Sequence, residues 1–148
     1  MAPLIVLGAA TLLARLAGRL GVTALDWPAS MRVGLAVMFG FTAAAHFNSM
    51  RADLVRMVPP WVPDPELMVS FTGICEILGA IGLLLRPTRR IAAIALIIFL
   101  IAVLPANVHA AQTQATIGGA AATPLIPRIA MQVLLIALVW WSGLRAKG

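Results

Sequence analysis

Tyrosine is absent from this 148-residue chain and cysteine occurs once, as Cys75. One thiol excludes an internal disulfide and a Cys-x-x-Cys redox pair, so redox chemistry here cannot cycle through the chain's own sulfurs. The lack of tyrosine removes a common acid–base and radical group. Acidic residues are nearly as scarce: five Asp and Glu stand against eleven Lys and Arg, a formal net charge of +6. Charged residues make up 11% of the chain and apolar ones 61%, against about 25% and about 45–50% in an ordinary globular domain. So little polar surface cannot cover a water-soluble particle of this size. The positive charge does not indicate nucleic acid either. A nucleic-acid binder clusters its basic residues on a polar face, whereas here they sit between apolar runs, and nucleic acid is excluded as a partner.

What the chain does have is long uncharged stretches. Residues 3–20 are apolar apart from Arg15 and Arg19 near their end. Residues 33–50 contain no acidic or basic group except His46, and residues 67–85 contain one charged residue, Glu76. Residues 91–127 hold no Asp, Glu, Lys or Arg at all, a stretch too long for one crossing. It divides at the polar, Gly-containing segment 112–123. A helix crosses a bilayer with about 20 residues, and only helices or closed barrels satisfy the backbone there. The expectation is an all-α integral membrane bundle, a single membrane domain over residues 1–148 with helices near 3–21, 30–50, 66–85, 89–110 and 125–144. The first segment resembles a signal peptide only weakly. Its arginines follow the apolar stretch rather than precede it, and Val22-Thr23-Ala24 is a poor cleavage site, so a retained helix is expected.

Charge placement orients the bundle. Five spans put Arg15, Arg19, Arg32, Arg86, Arg89, Arg90, Arg145 and Lys147 on one side and Arg51, Arg56 and Arg128 on the other. The positive-inside rule makes the first set cytoplasmic. The expected location is the inner membrane, multi-pass, with the N-terminus outside and the C-terminus in the cytoplasm. Trp140 and Trp141 then mark the inner interface and Trp61 the outer one. The connection from Met57 to Pro65 carries four prolines in seven residues, which predicts a stiff, extended segment.

Ionisable groups inside spans are rare and costly, so each is a functional candidate. Glu76 lies near mid-membrane, with Gly73 and Ala80 on its helix face. His46 closes its span one turn after Thr42. Asn107 and His109 follow Pro105, which cannot donate to the carbonyl one turn earlier. Arg128 and Gln132 are four apart and share a face. All of these fall in the outer half, which predicts one shared pocket. There Glu76 and His46 would handle protons, and Asn107, Arg128, Gln132, His109 and Trp61 would bind a ligand. An apolar slot with a few donors near the surface suits a quinone head group or another small lipophile. Metal is disfavoured because no ligand pair has i, i+4 spacing. Haem between His46 and His109 has no further support. The plainer alternatives are that Glu76 only fixes helix register, that His109 caps a helix end and that Cys75 fills apolar space.

The ordered set His46-Phe47, Met57-Val58-Pro59-Pro60, Phe71-Thr72-Gly73-Ile74-Cys75-Glu76-Ile77-Leu78-Gly79-Ala80, Pro105-Ala106-Asn107 and Pro127-Arg128 with Gln132 resembles the DoxX family of small bacterial membrane proteins. It spans Met31 to Gln132, about two thirds of the chain. The resemblance implies a four-helix membrane core to which the first helix here is an addition, and a link to membrane redox chemistry, including quinone-coupled reactions. Two function classes follow. One is a redox-associated protein, an oxidoreductase or a subunit of one, binding a quinone or similar lipophile. The other is a non-enzymatic assembly or anchoring subunit whose polar residues only fix packing. The partners expected are membrane lipid, other redox-complex subunits and a small lipophilic ligand. Transport is the weaker third reading: paired broken helices are missing, and a pore would need a homo-oligomer.

Overall fold

The computed structural model describes residues 2–21, 25–121 and 123–145, without the side chain of Ile117. Val22-Thr23-Ala24 and Lys147 lie outside the described residues. Seven α-helices follow one another: α1 (Ala2–Arg19), α2 (Trp27–Ala44), α3 (Arg51–Met57), α4 (Pro65–Leu84), α5 (Arg89–Ala102), α6 (Leu104–Gln112) and α7 (Leu125–Trp140). A 3-10 turn, Ala45–Phe47, extends α2, and a π turn, Trp141–Arg145, extends α7. With these extensions, five segments are long and apolar enough to cross a membrane: Ala2–Arg19, Trp27–Phe47, Pro65–Leu84, Arg89–Gln112 and Leu125–Arg145. The chain is an all-α bundle of the multi-pass membrane type.

Local chemistry explains where the spans begin. The second starts at Trp27, earlier than apolarity alone suggests, because Asp26 caps it: the carboxylate accepts from the Ala29 N–H at 2.7 Å. Pro65 opens α4 at a position where a missing N–H costs nothing. The fourth span is continuous in length but breaks at Val103, where the α5 ladder stops and Pro105 enters the first turn of α6.

Two connections differ from the sequence reading. The chain leaves α2 through the short helix α3, and the proline-rich segment after it folds into a turn, with the Val62 N–H donating to the Pro59 carbonyl at 3.0 Å. Proline at the second position of a turn presets its φ, so Pro60 bends this segment rather than extending it. Between α6 and α7 a small hairpin pairs Thr116–Ile117 with Ala120–Ala121. Its two-residue tip is Gly118-Gly119, both at positive φ, as a tight hairpin turn demands. The Gly118 N–H donates to Asp53 Oδ2 at 2.7 Å, fastening the hairpin to α3.

The core lies among α2, α4, α5 and α7, where Leu35, Met38, Phe39, Leu83, Ala93, Leu96 and Val139 are almost wholly buried. These four helices pack in succession, and the π turn after α7 returns to α2 and closes the ring. Helix α1 stands outside this ring and packs on α2. Gly34 makes that seam close: a Cβ there would meet the Thr11 side chain and lie 2.9 Å from the Leu7 carbonyl. The remaining faces of α1 present Ile5, Leu12, Leu13 and Leu16 outward, a surface suited to lipid and not to water.

Candidate functional site

The polar residues singled out in the sequence gather in three places at the end of the bundle opposite the α4–α5 turn. The tightest gathering lies in the α2–α4 seam. Thr42 and His46 are four apart at the end of the second span, and Thr72 and Glu76 are four apart on α4. Each pair therefore lies on one helix face. The two helices run in opposite directions, so Thr42 meets Glu76 while His46 meets Thr72. Thr42 Oγ1 lies 3.0 Å from Glu76 Oε2, and Thr72 Oγ1 lies 3.3 Å from His46 Nδ1. Across the middle, His46 Nε2 faces Glu76 Oε2 at 3.8 Å.

Gly73 makes the approach feasible. A Cβ there would sit 2.7 Å from His46 Cβ and 2.9 Å from Phe47 Cε2, distances that real side chains do not share. Arg51 then fixes the turn that carries the histidine. Its Nη1 donates to the His46 carbonyl at 3.0 Å, and its Nη2 donates to the Glu66 carbonyl at 2.9 Å and to Ser70 Oγ at 3.0 Å. The 3-10 turn is thus fastened to the first turns of α4.

The hydrogen bonds define how protons can be arranged. His46 Nδ1 lies 2.7 Å from the Val69 carbonyl. A carbonyl only accepts, so Nδ1 carries a proton, and the neutral ring presents a bare Nε2 to the carboxyl group. Glu76 is buried, and a carboxylate there needs a donor or a proton. Thr42 serves either state. Its hydroxyl donates to the carboxylate, or accepts from the carboxylic acid while donating to the Phe39 or Met38 carbonyl at 3.1 or 3.2 Å. Thr42 thus accommodates the Glu76 carboxyl group with or without its proton.

Arg128 and Gln132 form a second group with the α5–α6 break. Arg128 Nε donates to the Thr123 carbonyl at 2.7 Å and its Nη1 to Asn107 Oδ1 at 2.9 Å. Gln132 Nε2 donates to the Leu100 carbonyl beside the break, and its Oε1 is buried without a partner. Among the described residues Arg128 makes no ion pair with Glu76. Trp61 and His109 meet in the third place, an open groove of about 560 Å³ whose lining includes Pro59, Pro60, Pro105 and Gln112. The structure thus brings Glu76 to His46, Asn107 to Arg128 and Trp61 to His109, and among the described residues no hydrogen bond joins one group to another. No three His, Cys, Asp or Glu side chains cluster among the described residues in the way a metal ion would require. Cys75 is half-buried beside Glu76.

Residues 35–143 match the model of a family described as a domain of unknown function, DUF8561. The chain belongs to the DUF8561 family. The matched region runs from the middle of α2 into the π turn, so the DUF8561 part contains all three polar groups and leaves α1 outside. No curated protein and no solved structure matches the chain. Sequence reasoning passes over two residues of this DUF8561 site, Thr72 and Arg51. The signal that finds Thr72 is its i, i+4 spacing to Glu76, repeated by Thr42 and His46. Arg51 carries no such signal, because it reaches back to α4 through a turn.

Proposed function

We propose that this DUF8561 protein is a redox-associated inner-membrane protein, similar in kind to the DoxX family. It binds a quinone or a comparable small lipophile at the end of the bundle that carries His46. Glu76 and His46 handle the proton that accompanies reduction or oxidation of the ligand. The groove of Trp61, His109 and Gln112 offers an apolar slot with polar edges, as a quinone head group requires. The positive-inside rule places this end outside and the arginine-rich end in the cytoplasm. The observation that carries the reading is the 2.7 Å contact of His46 Nδ1 with the Val69 carbonyl, which leaves Nε2 to face a buried carboxyl group at 3.8 Å. Groups that merely hold two helices together do not need a donor–acceptor set that fits both protonation states.

Thermal unfolding of the purified protein with and without a short-chain quinone tests this reading. Stabilisation of the wild type is expected, with a smaller shift in His109→Ala and an intact bundle in Glu76→Gln. An identical melting curve with and without quinone in the wild type, together with no co-purifying lipophile by mass spectrometry, would sink it. A second reading, a non-enzymatic assembly subunit, draws on the inward hydrogen bonds of Arg128, Asn107 and Gln132. It expects Glu76→Gln to lose stability or a co-purifying protein with no small molecule involved.

A further inference from the structure

Glu76 sits between two unlike halves of the bundle. Toward the arginine-rich end, residues 33–41 of α2, 77–84 of α4, 91–102 of α5 and 133–139 of α7 carry no side-chain oxygen or nitrogen. The shortest of these runs has seven residues, about 10 Å of helix. Thr42 meets Glu76, so the α2 and α4 runs lie side by side. A Cβ on Gly79 would overlap Leu96, one on Gly82 would overlap Ala92, and one on Gly143 would overlap Ala93. Helix α4 and the π turn therefore press closely on α5. Leu35, Leu83, Ala93, Leu96 and Val139 fill the middle and are at most 1% exposed. A buried water needs about 2–4 polar partners, and the backbone groups here are spent within the helices. This layer offers a proton neither water nor a polar side chain.

Toward the other end, polar groups lead away from the carboxyl. Thr42 and His46 face it from α2 and its 3-10 turn, and Thr72 and Cys75 share α4 with it. Helices α5 and α7 bring no titratable group to it within the runs named above. His46 is only partly buried. Arg51 from α3 acts on the ring electrostatically, holds the His46 carbonyl and reaches Ser70. Arg51 and Ser70 also line an open groove of about 640 Å³, together with the exposed Asp64 and Glu66. Solvent and two carboxyl groups thus stand beside the turn that carries His46.

We propose that Glu76 exchanges its proton with one side only, through His46 and the mouth at Arg51 and Ser70, and that the bundle passes no proton to the arginine-rich side. His46 Nδ1 is engaged by the Val69 carbonyl, so Nε2 takes the proton from water and the ring becomes an imidazolium. The new Nε2–H then gives its proton to the Glu76 carboxylate, leaving a neutral ring and a carboxylic acid. Release is the reverse. Carboxyl and histidine groups inside spans are the usual parts of such relays. The inference rests on the proton-handling part of the redox reading and not on the identity of the ligand. In the orientation proposed above, a ligand oxidised at this end releases its proton outside.

Dicyclohexylcarbodiimide, which enters the bilayer and reacts with protonated carboxyl groups, tests this in sealed membrane vesicles holding the full chain. The vesicles carry the His46 end outward or inward, and the pH is set separately on each face. The Glu76 adduct, read by mass spectrometry, should increase when the His46 side is acidified and stay constant when the arginine-rich side is. His46→Leu should lose that response. Vesicles with the wild-type chain should hold an imposed pH gradient as long as vesicles without it. An adduct that follows the arginine-rich side, a response that survives in His46→Leu, or a gradient that the chain collapses would overturn the proposal while leaving Glu76 a proton-handling group. No adduct at any pH would overturn both.

Discussion

His46 holds its Nε2 3.8 Å from Glu76 Oε2 because its other ring nitrogen is committed to the Val69 carbonyl at 2.7 Å. A backbone group on the same helix as the carboxyl therefore sets the ring's tautomer. The ring cannot turn over without losing that bond, so its accepting face stays on Glu76.

Thr42 and Glu76 should be energetically coupled. Thr42→Val removes the hydroxyl 3.0 Å from the carboxyl oxygen, and a double-mutant cycle with Glu76→Gln should give about 0.6 kcal/mol, with about 1.7 kcal/mol as the ceiling seen for bonds between membrane helices. Unfolding in detergent reads it. Strict additivity would mean that the hydroxyl bonds only its own helix.

Gly73→Ala should destabilise the bundle by about 1–3 kcal/mol, as overpacking does, because the added methyl enters the space of His46 and Phe47. Gly40→Ala is the control: it lies one span away with nothing within 4 Å of its Cβ position. Thermal melts of the two variants should separate clearly. Equal melts would contradict the close α2–α4 contact.

Arg128→Gln should cost about 1–3 kcal/mol by stranding acceptors, since the Asn107 side chain and the Thr123 carbonyl both depend on the guanidinium. Asn107→Ala should cost less, because the Thr123 bond survives. The reverse order, measured by denaturant or heat, would mean that Arg128 is held by something other than this pair.

Orientation has a direct chemical readout. With Cys75 replaced by serine, a cysteine placed at Trp61 should react with a membrane-impermeant maleimide added to intact cells. One placed at Arg86 should react only after the membrane is opened. Labelling in the opposite order would invert the assignment made from charge placement.

Much of the fold was legible because hydrocarbon tolerates so few sequence choices. Five apolar stretches became five span-length segments, although the stretch read as one helix over 89–110 breaks at Val103, just before Pro105. Less visible were elements fixed by hydrogen bonds outside the spans: the α2 start set by Asp26, the short α3, and the hairpin fastened to Asp53. The candidate site was legible in depth but not in direction. Position along a span tells how deep His46, Asn107 and Arg128 lie. It does not tell which neighbouring helix each one faces, and that depends on the order of packing around the ring. The expected single pocket therefore appears as three polar groups at one end, and Thr42 with Thr72 takes the places beside Glu76 and His46 that the ligand-binding residues were expected to fill.

The seam between α1 and α2 joins helices adjacent in the chain, so a growing polypeptide can complete it early, before the rest of the bundle exists. Helix α4 follows, and Glu76 enters the membrane only after Thr42 and His46 are already in place on α2. The group least suited to lipid thus arrives last among its partners. The order of synthesis spares this protein a stage in which its buried carboxyl group has no one to meet.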